Sequence, residues 1–230
     1  MGKYRITSAE SMERVIREVG IIPFFSNAVP GYSIEEMTDP EDWFLTNGDV
    51  LGPWDWKIDC VQSGGIAYGK FLCGGKASFA TVEWYREVMN IRRASLSPDE
   101  NGRKILAYLD EAGSFGIREV RGLLGVKKSV ADAAVGKLQH QCRVVTGDIT
   151  RVYRGPNLSY KGWQVSSFCS PESLFGDDVP FAGFPGFPFG DGESSLRTEN
   201  SPEESLELLV SHISALFPSA SRDKILRVLK

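Results

Sequence analysis

The feature that most constrains this chain is an order of elements packed into residues 96–169. Ser97-Pro98-Asp99-Glu100 has the composition of a helix start: a cap residue, a proline at the first helical position and acids in the first turn. Ile105, Leu106, Leu109 and Ala112 then recur at helical spacing as one apolar face, and Gly113 ends it. "GIREVRGLLG" reads as a short second helix with Val120, Leu123 and Leu124 inward. Beyond the turn "VKK", Ser129 is expected to cap a third helix on which Val130, Ala134 and Leu138 share a face. "RVVTGDITRV" and "GWQVSSF" alternate as strands, joined by the polar, Gly- and Pro-bearing "YRGPNLSYK". Helix, helix, turn, helix, strand, loop, strand is the order of a winged helix-turn-helix. In that motif the third helix enters the DNA major groove and the hairpin wing touches the flanking backbone.

Charge falls on the same elements. Residues 114–165 carry nine Lys and Arg against three acids, a local +6 that leaves −10 on the other 178 residues of a chain whose net charge is −4. Lys127 and Lys128 stand at the start of the third helix, Lys137, His140 and Arg143 follow at and beyond its end, and Arg151, Arg154 and Lys161 lie on the hairpin. Cations so grouped displace counterions from phosphate, and the local field rather than the acidic total governs approach. Double-stranded DNA is the expected partner. On the third helix's polar side, Gln139 and Gln141 have the chemistry to meet an adenine edge, although solvated glutamine is the commoner role.

The rest of the chain reads as α+β. Residues 1–95 form an N-terminal α+β region, 96–175 the winged helix-turn-helix, 176–200 a Gly/Pro/Phe-rich loop, and 201–230 C-terminal helices. In the first region "SAESMERVIREVG" is a capped helix ended by Gly20, "SIEEM" carries capping-box logic, and "DPEDWF" offers Asp39 as cap with Pro40 behind it. Residues 66–72 and 76–80 flank Cys73-Gly74-Gly75 as a hairpin. Near the C-terminus, Ser201-Pro202-Glu203-Glu204 opens an amphipathic helix with Leu206, Leu209, Val210, Ile213 and Leu216 inward, stopped by Pro218.

Several chemistries find no support. The four cysteines form no CxxC pair and are expected to be reduced and mostly buried. His140 and His212 are the only histidines, too few for a multi-histidine metal site or a Ser-His-Asp arrangement. "GGIAYGKF" nearly spells a phosphate loop, but Phe71 stands where Ser or Thr should hold magnesium. No metal or cofactor is expected. No stretch approaches the roughly 20 apolar residues of a membrane span, and "MGKYRITSAESMER" lacks the apolar core of a signal peptide. The expected location is the cytoplasm.

Six stretches in order, "EVGIIPFF", "DPEDWF", "GPWDWK", "IAYGKF", "LQHQCRVV" and "SPESLFG", resemble a bacterial family of AlkZ-related proteins across most of the chain. The resemblance implies a winged-helix protein akin to AlkZ-type DNA glycosylases. Those enzymes excise alkylated or crosslinked bases without a metal and use Gln-x-Gln or Gln-x-Asp to position the attacking water. Gln139-His140-Gln141 matches that pattern, with His140 where the family has an apolar or small residue. The full enzymes also carry several tandem winged-helix units, and this chain shows one.

Excision needs a pocket for an extruded nucleotide, with surfaces to stack on it and donors for its phosphates. The first region offers Trp54, Trp56 and Tyr68 for stacking and Lys57, Lys70, Arg92 and Arg93 as donors. If "GPWDWK" is extended, Trp54 and Trp56 share one side and Asp55 the other, which makes Asp55 the first carboxylate to examine as a water activator. Core packing is the commoner fate of such aromatics. Two rival functions remain: a transcriptional regulator whose N-terminal region senses a ligand or dimerises, and a protein-interaction scaffold. Whether the chain is an enzyme and which oligomer it forms are left open by the sequence.

Overall fold

The computed structural model describes residues 4–44, 52–176 and 196–230, and the architecture is α+β. The turn-rich stretch 46–51 and residues 177–195 of the Gly/Pro/Phe-rich loop lie outside the described residues.

The N-terminal region is built on a three-stranded antiparallel sheet in the order β1-β3-β2, made of Ile21–Pro23 (β1), Ile66–Leu72 (β2) and Lys76–Thr81 (β3). Helix α1 (Ala9–Val19) is opened by a reciprocal Ser8/Ser11 capping box and closed at Gly20, whose φ of 78° suits a residue without Cβ. A Cβ at Gly20 would also stand 2.3 Å from the Trp84 ring, so the turn sits directly under that indole. After the short α2 (Ile34–Met37) and a 3₁₀ turn at Pro40–Phe44 comes α3 (Pro53–Gln62). "GPWDWK" is therefore helical rather than extended. Pro53 occupies the first helical turn, where a missing N–H costs nothing. Helix α4 (Val82–Ser95) leads out of the sheet.

The C-terminal helices α9 (Pro202–Leu216) and α10 (Arg222–Val228) return to this region. The Ser205 hydroxyl on α9 donates to Glu87 of α4 at 2.6 Å, and Asn200 donates to the same carboxylate at 3.1 Å. Burial opposes ionisation of Glu87, yet these hydrogen bonds and those from Thr198 and Arg86 hold its pKa below the ordinary value. His212 stacks on Trp84 at 3.7 Å. One core thus runs from Ile6 through the sheet to Val228.

Residues 100–169 form a second unit: α5 (Glu100–Ala112), β4 (Ser114–Gly116), α6 (Ile117–Leu124), α7 (Lys128–His140), β5 (Val145–Arg154) and β6 (Ser159–Cys169). Its sheet order is β4-β6-β5, all antiparallel. Ile105, Leu109, Phe115, Val120, Ala131, Val135 and Leu138 make a core of its own. The sequence reading erred on three details here. Asp99, not Ser97, caps α5, its carboxylate accepting from the Gly102 N–H at 2.9 Å. Helix α7 begins after Lys127 with no side-chain cap, so Ser129 lies inside the helix. Its inward face is Ala131, Ala134, Val135 and Leu138, while Val130 and Leu123 face solvent. The two units are not independent. Cys142, Val145, Ile149 and Cys169 belong to the main core, and the helix α8 (Pro171–Phe175) adds Phe175 to it.

Candidate nucleic-acid interface

The eight cationic candidates separate by environment. Lys127, Arg154 and Lys161 are exposed and form no ion pair among the described residues. Lys128 and Lys137 are also exposed but touch acids, Asp132 at 2.7 Å and Asp99 at 3.0 Å. Such surface pairs are worth below about 1 kcal/mol, so a phosphate can compete for either lysine. Arg118 and Arg121 on α6 are exposed as well. The remaining three are half-buried. Arg143 reaches the Leu96 carbonyl at 3.5 Å. Burial first, and then the charge of Arg92, push the His140 imidazole below its ordinary pKa against the opposing pull of a hydrogen bond to the Lys70 backbone. Arg151 faces inward toward α3.

That inward contact joins the two units. Asp55, on the first turn of α3, is 1% exposed. Its Oδ1 accepts from the Tyr160 hydroxyl at 2.5 Å and the Gln164 amide at 3.4 Å, and the Arg151 guanidinium lies at 3.5 Å. Arg151 also reaches Asp59 at 3.3 Å, and Gln62 donates to Asp148 at 2.9 Å. The inner face of the β5–β6 hairpin is thereby fastened to α3. Asp55 stands as the hub of this clamp, enclosed by protein donors, a placement that suits structure better than water activation. The sequence held a sign of Tyr160 and Gln164: they alternate with Lys161, Trp163 and Val165 in a strand, so one set must face inward.

The glutamine pair is divided. Gln139 is 4% exposed, and its amide donates to the Thr146 hydroxyl at 3.1 Å. A Cβ on Gly69 of β2 would come within 3.3 Å of that amide, so β2 covers it closely. Gln141 donates to the Ser97 carbonyl at 3.1 Å. With His140 it lines a cleft of about 380 Å³ between the end of α7 and the β2–β3 turn, bordered also by Lys70, Gly74 and Gly136. The Nδ1 of His140 and Oε1 of Gln141 are buried without a hydrogen-bond partner among the described residues.

The pocket candidates do not converge. Because α3 is a helix, Trp54 and Trp56 point to opposite sides: Trp54 is 38% exposed and Trp56 lies in the core. Tyr68 packs on Phe79 at 4.7 Å, and burial pushes its hydroxyl up to about 12. Arg92 donates to the carbonyls of Phe71 (3.1 Å) and Leu229 (2.6 Å), and Arg93 to that of Cys142 and to Glu172. These arginines tie elements together. All four cysteines are free, and three are buried. Among the described residues, no group of three or more His, Cys, Asp or Glu is placed to hold a metal ion, and no helix is long and apolar enough to cross a membrane.

Lys57 sits over the Trp54 ring at 4.9 Å, and burial lowers its ammonium to about 8 against the opposing pull of Asp55. Folding therefore disfavours the charged form. The penalty is complete below about 8 and is relieved as pH rises toward the ordinary 10.5. Lys57→Met is expected to stabilise the fold at pH 7 by on the order of 1 kcal/mol, a gain that fades by pH 10.5 in urea titrations.

A model of the family described as "AlkZ related" matches residues 6–230, nearly the whole chain. The chain belongs to the AlkZ-related family. No curated protein and no solved structure matches it. In this AlkZ-related protein the family match thus spans both units and the clamp between them, and the Gln139-x-Gln141 pair falls at their junction.

Proposed function

We propose that this AlkZ-related protein is a winged-helix protein that binds double-stranded DNA, with a role in the neighbourhood of AlkZ-type base repair. The observation that carries the reading is the shared exposure of Lys127 and Lys128 at the start of α7 and of Arg154 and Lys161 on the β5–β6 hairpin. The order of α5, β4, α6, α7, β5 and β6, with β6 central in the sheet, supports the winged-helix assignment. In that assignment α7 is the recognition helix and the hairpin is the wing. The start of α7 adds a further attraction for phosphate, since no side chain caps it and its dipole is positive there.

Binding is better supported than excision by the glutamine pair. Gln139 spends its amide on Thr146 beneath β2, away from solvent. Fluorescence anisotropy with undamaged, alkylated and abasic-analogue duplexes, each across a salt series, tests the reading. Salt-sensitive binding, tighter on the damaged duplexes, is the expected result. Equal affinity for all three would replace repair with a general or regulatory DNA-binding role. No binding at low salt would leave a protein scaffold.

A further inference from the structure

We propose that the outward face of the β5–β6 hairpin, centred on Trp163 with Arg154 and Lys161, is a stacking surface for an unpaired nucleobase in DNA. The proposal deepens the DNA-binding reading and rests on it. It names the substrate class as DNA with exposed, unstacked nucleotides.

Among the described residues eight large hydrophobic side chains are exposed, and four lie on this one hairpin: Trp163 and Val165 on the strand face turned from α3, Leu158 in the turn, and Tyr153 beside Tyr160 on the other face. Scattered exposed apolar groups need no explanation, but a concentration on one element marks a surface with a partner. Trp163 is 57% exposed, a large apolar area to leave in water.

The backbone aims it there. Between the pairs Tyr153–Tyr160 and Arg151–Gln164, strand β6 sets Lys161, Gly162 and Trp163 against the single Val152 of β5. Gly162 takes φ 75° in this bulge, and bulges of this kind re-aim neighbouring side chains. The opposite face cannot roll over to hide the ring, because Tyr160, Gln164 and Arg151 hold it against α3 through Asp55.

The chemistry around the ring selects the occupant. The Arg154 guanidinium lies 4.6 Å from the Trp163 centroid, a planar cation layered on an indole. Lys161, exposed two residues away on the same strand, adds a second cation, and no Asp or Glu occurs between Ile149 and Pro171. An apolar protein partner gains little from such a cationic border. A nucleotide supplies what both parts want: a π-face for the indole and a phosphate for the cations. In an intact duplex the base faces are stacked away, so the surface favours DNA in which one is free.

Affinities for an intact duplex, a duplex with a short central single-stranded gap, and a single strand test this, for the wild type, Trp163→Ala, Trp163→Phe and Lys127→Glu/Lys128→Glu. The wild type is expected to prefer the gapped duplex. Trp163→Ala should cost about tenfold there and less than about twofold on the intact duplex, with Trp163→Phe restoring most of the loss. Thermal melting of Trp163→Ala should match wild type, since the ring is a surface group. Binding sensitive to Lys127→Glu/Lys128→Glu but equal on gapped and intact DNA would overturn the stacking surface and leave the DNA-binding reading standing. An equal loss on every substrate would also overturn it, as would a dimer in sedimentation that Trp163→Ala dissolves. Failure to bind any DNA would end both.

Discussion

Asp55→Ala is expected to lower the unfolding free energy by about 3 kcal/mol, read as a fall in the urea midpoint. The carboxylate is 1% exposed and is the common acceptor for Tyr160, Gln164 and Arg151. Truncation removes the acceptor and orphans the buried Tyr160 hydroxyl proton, while Gln164 keeps the Trp54 carbonyl at 2.8 Å. Burying a polar group without its partner is far more costly than the net worth of the bond it made. Arg151 keeps Asp59, at 3.3 Å, so part of its charge stays compensated and the loss stays below the upper end of such effects. Tyr160→Phe, which removes one hydroxyl and leaves Asp55 its other donors, should cost about 1 kcal/mol. The pair should be strongly non-additive: once Asp55 is gone, losing the Tyr160 hydroxyl relieves an orphaned donor. An unchanged midpoint for Asp55→Ala would mean that water replaces the clamp at no cost, and the hairpin would then be free to leave α3.

The same network explains which parts of this protein could be read from its sequence. Elements announced by local chemistry were legible: Ser8 and Gly20 bracket α1, Cys73-Gly74-Gly75 turns the β2–β3 hairpin, and Ser201 caps α9. These signals act within a few residues and need no tertiary partner. Short strands were not legible. Ile21–Pro23 and Ser114–Gly116 exist because β3 and β6 offer edges to pair with, and three residues carry too little alternation to announce themselves. "GPWDWK" misled because its aromatic alternation resembles a strand, whereas Pro53 at the start favours a helix.

The candidate site was legible in charge and not in contacts. Counting lysines and arginines finds the basic segment, but it cannot divide Arg154, exposed over Trp163, from Arg151, three residues earlier and turned to Asp55. That division follows from strand alternation combined with the docking of one unit on the other, which links residues about a hundred positions apart. Gln139 shows the same limit. Its motif is visible in the sequence, and its burial under Gly69 is not.

Lys127→Glu/Lys128→Glu is expected to weaken duplex binding about 100-fold at low salt, and to make the fall of log K with log salt shallower by about 2. Each lysine that meets a phosphate releases counterions, and each reversal places repulsion where attraction stood. Lys127 has no acid to surrender among the described residues, so its whole charge is available to DNA. Lys128 must leave Asp132, an exposed i,i+4 pair at 2.7 Å that offers little resistance. In the variant, Glu at position 128 also lies one turn from Asp132 and deepens the repulsion. Lys104→Glu/Arg103→Glu is the charge-matched control: it reverses two exposed cations on α5, outside the basic segment, and should leave the salt slope unchanged. If both variants behaved alike, the positive charge on α7 would be an ordinary solvated face, and net charge alone would account for any binding. A slope that changes only with α7 would place phosphate against the start of that helix.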